Sequence, residues 1–425
     1  MRKNYPEKIS IEITTKCNLH CAICPKQSPN YHQPEADMDY ETFESLKTIF
    51  PHIKSLVLSG IGEPLLHPEI EKFVALASAY MPKNSFVGFQ TNGVLLSDEK
   101  LKELIRSGLN KICVSIDSLV PINGLHVPEF GEKALEVIAR AKSNGAKNLK
   151  SGIEIVITTD NLEHIIPTIN ESLKYGIDFV ILSHLIPYSL ENSKKVAYET
   201  SNEEAVKIFK KWVNYLENKG YKIDDWLELM KKKALPEFFP EENEPMKLFK
   251  AMYDEASSKG LTLHMQNLIN RNDDLISTVK AILEEVESLC RKKNISFQIP
   301  RTNPTPLRKC DFLEEKCMYI GVDGEVSPCY FLWHSFTCYI GGLKKAVKRW
   351  SFGNIKEKEP LEIFNSLAYQ QFINSVLKYD FPYCYDCNFA LCDLMELEDF
   401  VYDCYTNDVP CGACLWCGGL FYCMI

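Results

Sequence analysis

The sequence has no run of 18 apolar residues and no excess of basic residues. A membrane-spanning helix needs about 18 or more apolar residues in succession, so we expect no such helix and no membrane partner. The first residues, MRKNYPEKISIEITTKC, lack the apolar core of a secretory signal peptide, which favours a cytoplasmic protein. A net charge of −9 argues against a nucleic-acid partner.

Cysteine, by contrast, is abundant and clustered. Of 17 cysteines, three lie at 17–24, four at 310–338 and eight at 384–423. Clustered thiols in a reducing compartment indicate metal sites rather than disulfides. The two isolated residues, Cys113 and Cys290, are expected to be ordinary core residues.

The first cluster has the spacing C-x3-C-x2-C, formed by Cys17, Cys21 and Cys24, and directly follows an alternating apolar strand. Zinc usually takes four ligands, often in paired C-x2-C units, and no fourth ligand is offered nearby. Three thiolates can instead hold three irons of a [4Fe–4S] cube and leave the fourth iron open to a substrate or cofactor. We therefore interpret the trio as a reactive iron–sulfur site.

Residues 1–189 alternate between strand and helix patterns. Strands are predicted at 8–14, 54–59, 85–90, 111–117, 152–158 and 178–184. Amphipathic helices are predicted near 40–50, 67–80, 97–107, 131–144 and 161–175. Several strands are continuously apolar, which is typical of a parallel sheet covered by helices. The pattern predicts an α/β fold with a partial (β/α)6 TIM-like barrel.

Polar or glycine-rich segments follow consecutive predicted strands, where parallel sheets gather ligand sites. They are SGIGEP at 59–64, QTNG at 90–93 and SID at 115–117. Ser115 and Asp117 could equally cap the following loop. After the sixth strand come His184 and Tyr188, candidate substrate contacts or proton donors, although a lone histidine at a strand end is more often structural.

Residues 190–305 are rich in lysine and glutamate, with apolar residues at helical spacing, and contain no metal-ligand grouping or phosphate loop. We expect a helical insertion with solvated faces. Residues 306–425 are expected to form a cysteine-rich α+β domain. Its segment YIGVDGEVSPC favours a hairpin that turns at Asp323-Gly324. A zinc ribbon is an alternative here, because Cys384-x2-Cys387 and Cys411-x2-Cys414 also have zinc-site spacing.

The cysteine trio resembles the signature of the radical S-adenosylmethionine (radical SAM) enzymes, although Ile23 stands where many members have an aromatic residue. The resemblance implies that the open iron chelates the methionine portion of SAM, which is cleaved reductively to a 5′-deoxyadenosyl radical. GIGEP is similar to the family's glycine-rich turn, with Ile61 between its glycines, and QTNG matches its frequent T-N-G. The cofactor contacts implied by the family are Gly62, Glu63, Asn92, Ser115 and Asp117.

The C-terminal cysteines resemble a SPASM domain, a module that holds auxiliary iron–sulfur clusters. That resemblance implies two auxiliary [4Fe–4S] clusters. Cys310, Cys317 and Cys329 would hold one, and Cys384, Cys387 and Cys392 would begin the other. Cys404 and Cys411 are the preferred completing ligands, and the tail supplies more cysteines than two clusters require.

Several further motifs, including GIGEPLLHP and the tail pattern DCYxNxVPCGxCLW, are similar to metalloenzyme maturases. This group includes cofactor-modifying proteins associated with tungsten-containing aldehyde oxidoreductases. It implies a protein or cofactor client, such as a tungsten or molybdenum oxidoreductase, and a reductant such as ferredoxin or flavodoxin. Two alternatives stay open: a radical SAM enzyme that makes thioether or carbon–carbon crosslinks in peptides, and a non-enzymatic iron–sulfur electron-transfer or zinc-binding module.

Overall fold

The computed structural model describes residues 4–119, 128–223, 244–387 and 400–424. Its first half alternates strands and helices as the sequence predicts. The strands are β1 (Lys8–Ile11), β2 (Ser55–Val57), β3 (Phe86–Thr91), β4 (Lys111–Ser115), β5 (Lys150–Ile157) and β6 (Phe179–His184). The helices are α1 (Tyr40–Glu44), α2 (Ile70–Tyr80), α3 (Asp98–Ser107), α4 (Pro128–Ser143) and α5 (Ile165–Leu173).

These six strands pair in parallel as neighbours along the chain, which confirms the predicted α/β class. Three further strands extend the sheet to nine, in the order β7-β6-β5-β4-β3-β2-β1-β8-β9. They are β7 (Ser296–Gln298), β8 (Cys317–Ile320) and β9 (Val326–Ser327). The sequence analysis did not predict β7, which lies near the end of the region 190–305 that it had assigned to helices.

Strand β8 pairs in parallel with β1, so the cysteine-rich region contributes directly to the sheet that carries the first cysteine cluster. Strands β8 and β9 form the predicted hairpin, in which Gly324 adopts a φ of 88° and donates its N–H to the carbonyl of Gly321 at 2.9 Å. A left-handed φ of this kind favours glycine. The two cysteine-rich ends of the chain are therefore neighbours in the fold.

The main core lies between the sheet and its flanking helices, and it includes fully buried side chains such as Ile11, Leu56 and Val114. Cys113 and Cys290 are both buried, as expected for core residues. Helix α3 begins with an N-cap, since the Ser97 hydroxyl accepts a hydrogen bond from the Lys100 N–H.

The described part of the middle region, at 190–223 and 244–305, is mostly helical, as predicted. It contains α6 (Glu203–Asn218), α7 (Glu244–Ser258), α8 (Met265–Ile269) and α9 (Asp273–Lys293). Helices α6 to α8 share a small hydrophobic core of their own, whereas α9 packs onto the main core through Val279, Leu283 and Val286. Among the described residues, no helix has the length and apolarity that crossing a bilayer requires.

After the β8–β9 hairpin, a second hairpin is formed by β10 (Phe336–Ile340) and β11 (Leu343–Val347). The short helix α10 (Asp311–Glu314) precedes β8, and α11 (Pro360–Phe364) and α12 (Leu367–Val376) follow the second hairpin. The tail folds back onto these elements, with Val409, Leu415 and Phe421 in one apolar cluster with Phe336 and Phe372. The predicted domain boundaries at 189/190 and 305/306 stay predictions.

Candidate active site

One cavity of about 320 Å³ lies at the carboxyl ends of strands β1 to β5. Ligands of parallel α/β sheets bind at this edge, outside the carboxyl ends of the strands. The cavity brings together residues that are far apart in the sequence and that the sequence analysis had singled out. They are Cys17, Cys21, Cys24, Gly62, Glu63, Asn92, Ser115 and Asp117.

The three cysteines occupy the loop after β1, and each is partly exposed. Burial, followed by the neighbouring charges of Cys24 and Cys17, raises the pKa of the Cys21 thiol to about 12. Burial also raises the pKa of Cys24. Thiolates this close to one another repel, and a bound metal supplies the positive charge that stabilises them. The donor set and its setting therefore fit an iron–sulfur cluster.

Within the described residues, no three histidine, cysteine, aspartate or glutamate side chains converge closely enough to hold a single metal ion. A four-iron cube is larger than one ion and holds its thiolates further apart.

The turn after β2 passes very close to the start of the cysteine loop. Position 62 in this turn must therefore be glycine. A Cβ atom at this position would stand 2.2 Å from the carbonyl oxygen of Thr14 and 2.6 Å from that of Lys16. The next residue donates its backbone N–H to the same Lys16 carbonyl at 2.7 Å. Any side chain at position 62 would push the turn away from the start of the cysteine loop.

The Glu63 carboxylate joins two turns beneath the cavity. It accepts hydrogen bonds from the Thr91 hydroxyl at 2.7 Å, the Asn92 N–H at 2.8 Å and the Leu65 N–H at 3.1 Å. Burial raises the pKa of Glu63, and these bonds favour its ionised form. The sequence analysis expected Glu63 to contact the cofactor. In the structure Glu63 lines the cavity, and its carboxylate holds the TNG turn in place.

Side-chain amides and hydroxyls line the adjacent wall. The Gln90 amide donates to the Ser115 hydroxyl at 2.9 Å, and the Asn92 amide donates to the Asn18 side chain at 2.8 Å. Asn18 follows Cys17, so this bond ties the turn after β3 to the cysteine loop. The wall offers a polar molecule several hydrogen-bonding groups at neighbouring strand ends.

A buried Glu12–His334 pair connects this site to the C-terminal region. The Glu12 carboxylate accepts the Ile61 N–H at 2.9 Å and lies 3.0 Å from Nε2 of His334. Both side chains are buried, and the neighbouring Trp333 lines the cavity. The sequence analysis missed both residues. The only sequence feature that could have pointed to this pair is the charged Glu12 in the alternating strand pattern ISIEIT.

Glu154 is a second acid that the sequence analysis missed. It stands opposite Ser115 in the β4–β5 pairing, and its Oε2 atom is buried with no hydrogen-bond partner. Burial, together with the charge of Asp117, raises the pKa of Glu154 to about 8, although a hydrogen bond from Gln90 acts in the opposite direction. An acid held protonated at neutral pH beside a cavity is a candidate proton donor or hydrogen-bond donor.

Replacing Glu154 by glutamine should change how stability depends on pH. Because its pKa is raised, folded wild-type protein keeps a proton that the unfolded chain loses above about pH 4.3. Wild-type stability should therefore fall relative to Glu154→Gln as pH rises from about 5 to 8, by at most about 1.4 kcal/mol per pH unit. Denaturant unfolding of both proteins across this range would measure the difference, and parallel curves would contradict the raised pKa.

The two weaker candidates, His184 and Tyr188, are not among the residues that line the cavity. The buried His184 ring has its Nε2 atom 2.8 Å from the Arg301 carbonyl and packs against Tyr198. Burial lowers the pKa of His184 to about 4, so it is neutral at physiological pH. Tyr188 packs edge-on against Phe336 at a centroid distance of 5.3 Å. This geometry favours a structural role for His184.

Several C-terminal cysteines gather around the start of β8. Burial, and then the charges of Cys329 and Cys414, raises the pKa of Cys310 well above its usual range. Burial, and then the charges of Cys414 and Cys329, does the same for Cys411. Cys404 is exposed at the surface. Cys392 lies outside the described residues.

The family comparisons agree with this arrangement. The radical SAM superfamily matches residues 11–172, and the iron–sulfur cluster-binding SPASM domain matches residues 310–388. The chain therefore contains a radical SAM domain followed by a SPASM domain. Its SPASM match ends before Cys392 and the remaining tail cysteines.

The chain is similar over almost its whole length to one relative. It is 27% identical over 427 residues to the "Tungsten-containing aldehyde ferredoxin oxidoreductase cofactor-modifying protein" of Pyrococcus furiosus, covering 98% of this chain and 96% of the relative. It is also 31% identical over 220 residues to a GTP 3′,8-cyclase of Clostridium perfringens, covering 50% of this chain and 65% of the cyclase.

Among solved structures, Streptococcus suis SuiB bound to S-adenosylmethionine is similar with a TM-score of 0.53 and 12% identity. The likeness covers 95% of this chain and 77% of SuiB. At this identity the likeness shows the fold alone, and its coverage takes in both the mainly parallel sheet and the cysteine-rich region.

Proposed function

We propose that this enzyme binds a [4Fe–4S] cluster through Cys17, Cys21 and Cys24 and reductively cleaves S-adenosylmethionine. The observation that carries the proposal is the single cavity in which these thiols meet the polar ends of neighbouring strands. The bound cluster and SAM would together supply a 5′-deoxyadenosyl radical that abstracts hydrogen from a client.

The chain's own residues would hold SAM and exclude water. Ser115 and Asp117 would bond polar groups of the cofactor, and Gly62 would keep the turn after β2 against the start of the cysteine loop. Apolar side chains form the rest of the wall, among them Ile61 and Val156. A volume of about 320 Å³ is at the small end of the range for cofactor pockets, which suits a closely bound ligand.

For the client we propose a tungsten- or molybdenum-containing oxidoreductase or its cofactor. The similarity to the Pyrococcus furiosus cofactor-modifying protein supports this choice, because it spans both the barrel and the cysteine-rich region. Two auxiliary [4Fe–4S] clusters in the SPASM region would exchange electrons with the client or with a reductant such as ferredoxin or flavodoxin.

The test is anaerobic reconstitution with iron and sulfide, followed by reduction, addition of SAM and measurement of 5′-deoxyadenosine. Parallel reactions would add an apo tungsten oxidoreductase, its isolated pterin cofactor, or a cysteine-containing peptide. We expect cleavage of SAM, with stimulation by the oxidoreductase or the pterin. Full cluster loading without any cleavage would contradict the proposal, and stimulation by the peptide alone would favour the peptide-modifying alternative.

A further inference from the structure

The turn after β2 is packed against the cysteine-rich region. Ile61, which separates the two glycines of this turn, is only 8% exposed. Its side chain belongs to a small apolar cluster with Trp333 and Tyr319, both from the cysteine-rich region. Ile61 and Trp333 also line the cavity together. One wall of the candidate SAM site is therefore built from two regions that are distant in the sequence.

Glu12 fixes the turn from just beyond the end of β1. Its carboxylate accepts the Ile61 N–H at 2.9 Å. Its side chain also fills the space beside Gly60, where an added Cβ atom would stand 2.3 Å from the Cγ atom of Glu12. Because the two segments are in such close contact, the backbone of the turn depends on the position of the Glu12 side chain.

His334 in turn holds Glu12 in place. Its Nε2 atom lies 3.0 Å from Oε2 of Glu12, and the two side chains are 2% and 0% exposed. A buried carboxylate needs hydrogen-bond donors to offset the loss of water, so removal of His334 would leave an acceptor unsatisfied. The neighbouring Trp333 is held by edge-on contacts with Tyr319 and Tyr330, at centroid distances of 4.7 and 5.5 Å.

The same segment also binds the cysteine loop beyond its third cysteine. Thr337 donates its N–H to the Ser28 hydroxyl at 2.8 Å, and that hydroxyl donates to the Thr337 carbonyl at 3.0 Å. The Asn30 amide donates to the Thr337 hydroxyl at 2.8 Å. Residues 333–337 of the cysteine-rich region thus contact both the loop that carries the three cysteines and the turn opposite.

We propose that segment 333–337 completes the SAM site, with His334 as a positioning residue that acts on the turn after β2 through Glu12. The proposal rests on the SAM binding of the proposed function and adds that the cysteine-rich region shapes the cofactor pocket by contact. The segment sets the separation between the turn and the cysteine loop, and so the space in which SAM binds. Trp333 closes that space on one side.

The test compares SAM binding by reconstituted wild-type, His334→Ala and His334→Gln protein in equilibrium dialysis. His334→Ala should bind SAM at least about tenfold more weakly at unchanged iron content, because the Glu12 carboxylate loses its partner. His334→Gln should recover most of the affinity, since its amide can donate to the same carboxylate. The change that SAM causes in the electron paramagnetic resonance spectrum of the reduced protein should be altered in His334→Ala and restored in His334→Gln.

His264→Ala is the matched control. His264 is also buried and accepts a hydrogen bond from the Asn267 N–H, but it caps helix α8 and is not among the residues that line the cavity. Its loss should leave SAM binding unchanged. If His334→Ala fails to fold, Ser28→Ala takes its place. This smaller change removes both Ser28 bonds to Thr337 and should weaken SAM binding at least about threefold at unchanged iron content.

Unchanged SAM affinity in folded, iron-loaded His334→Ala would overturn the inference, as would an equal loss in His264→Ala. Where only Ser28→Ala folds, unchanged affinity in that variant would overturn it. Wild-type protein that binds SAM without cleaving it would instead contradict only the proposed function, because the comparison of affinities requires no cleavage.

Discussion

Replacing Cys24 by alanine is expected to reduce 5′-deoxyadenosine formation to the background of the assay. With one of three thiolates missing, the loop after β1 can no longer hold a cube that leaves a single iron open. The loss should exceed about a thousandfold, because the uncatalysed reductive cleavage of SAM is slow under the same conditions. The measurement is chromatographic quantification of 5′-deoxyadenosine after anaerobic reconstitution and reduction.

Cys290→Ala is the matched control for this variant. Cys290 is buried at the end of α9, in the core and outside the residues that line the cavity, so its loss should leave SAM cleavage near the wild-type level. Iron analysis of both proteins separates cluster loss from misfolding. Cleavage that persists in Cys24→Ala would rule out the assignment of this loop as the site of the catalytic cluster.

Replacing Glu63 by alanine is expected to destabilise the protein and to weaken the candidate SAM site together. The substitution removes the acceptor of three hydrogen bonds and leaves the Thr91 hydroxyl and the N–H groups of Asn92 and Leu65 without it. Unsatisfied buried donors of this kind cost about 1–3 kcal/mol each, so we expect a loss of roughly 3 kcal/mol or more. Denaturant unfolding would measure the change in the free energy of unfolding.

The effect should extend to the cavity, because the same bonds hold the turn that carries Asn92. We expect weaker SAM binding in Glu63→Ala, measured by equilibrium dialysis of the reconstituted protein. Glu63→Gln should be milder, since its amide oxygen can still accept some of these bonds. Glu171→Ala is the control: this residue forms a surface ion pair with Lys174, and its loss should cost well under 1 kcal/mol. Equal destabilisation of both alanine variants would contradict the positioning role of Glu63.

The six strands of the first half could be predicted because their pattern is local. The largely apolar run VILS in β6 is buried on both faces of the sheet. A continuous apolar run, or an apolar residue at every second position, can be recognised within a few residues. The motif residues at strand ends were equally predictable, since parallel strands bring their carboxyl ends to one edge whatever their separation in sequence. That rule is why Cys17, Gly62, Asn92 and Ser115 were expected at one site, and the structure brings them to one cavity.

The pairing of β8 with β1 could not be predicted in this way. It joins residues about three hundred positions apart, and nothing in the local pattern of CMYI states which edge of the sheet it extends. The same limit applies to the tail, which contains more cysteines than two auxiliary clusters would require. Only the folded chain shows that Cys404 is exposed whereas Cys411 is partly buried.

The sequence by itself determined the residue types at the candidate site: three closely spaced cysteines, polar groups at strand ends and a second set of cysteines. These features follow from residue types and short spacings, which can be read from the sequence without knowledge of the fold. Tertiary structure alone decided the roles of the buried carboxyl groups of Glu12, Glu63 and Glu154. The ionisation and partners of a buried group depend on the dielectric environment and on neighbours supplied by distant parts of the chain, and folding is what brings those neighbours within reach.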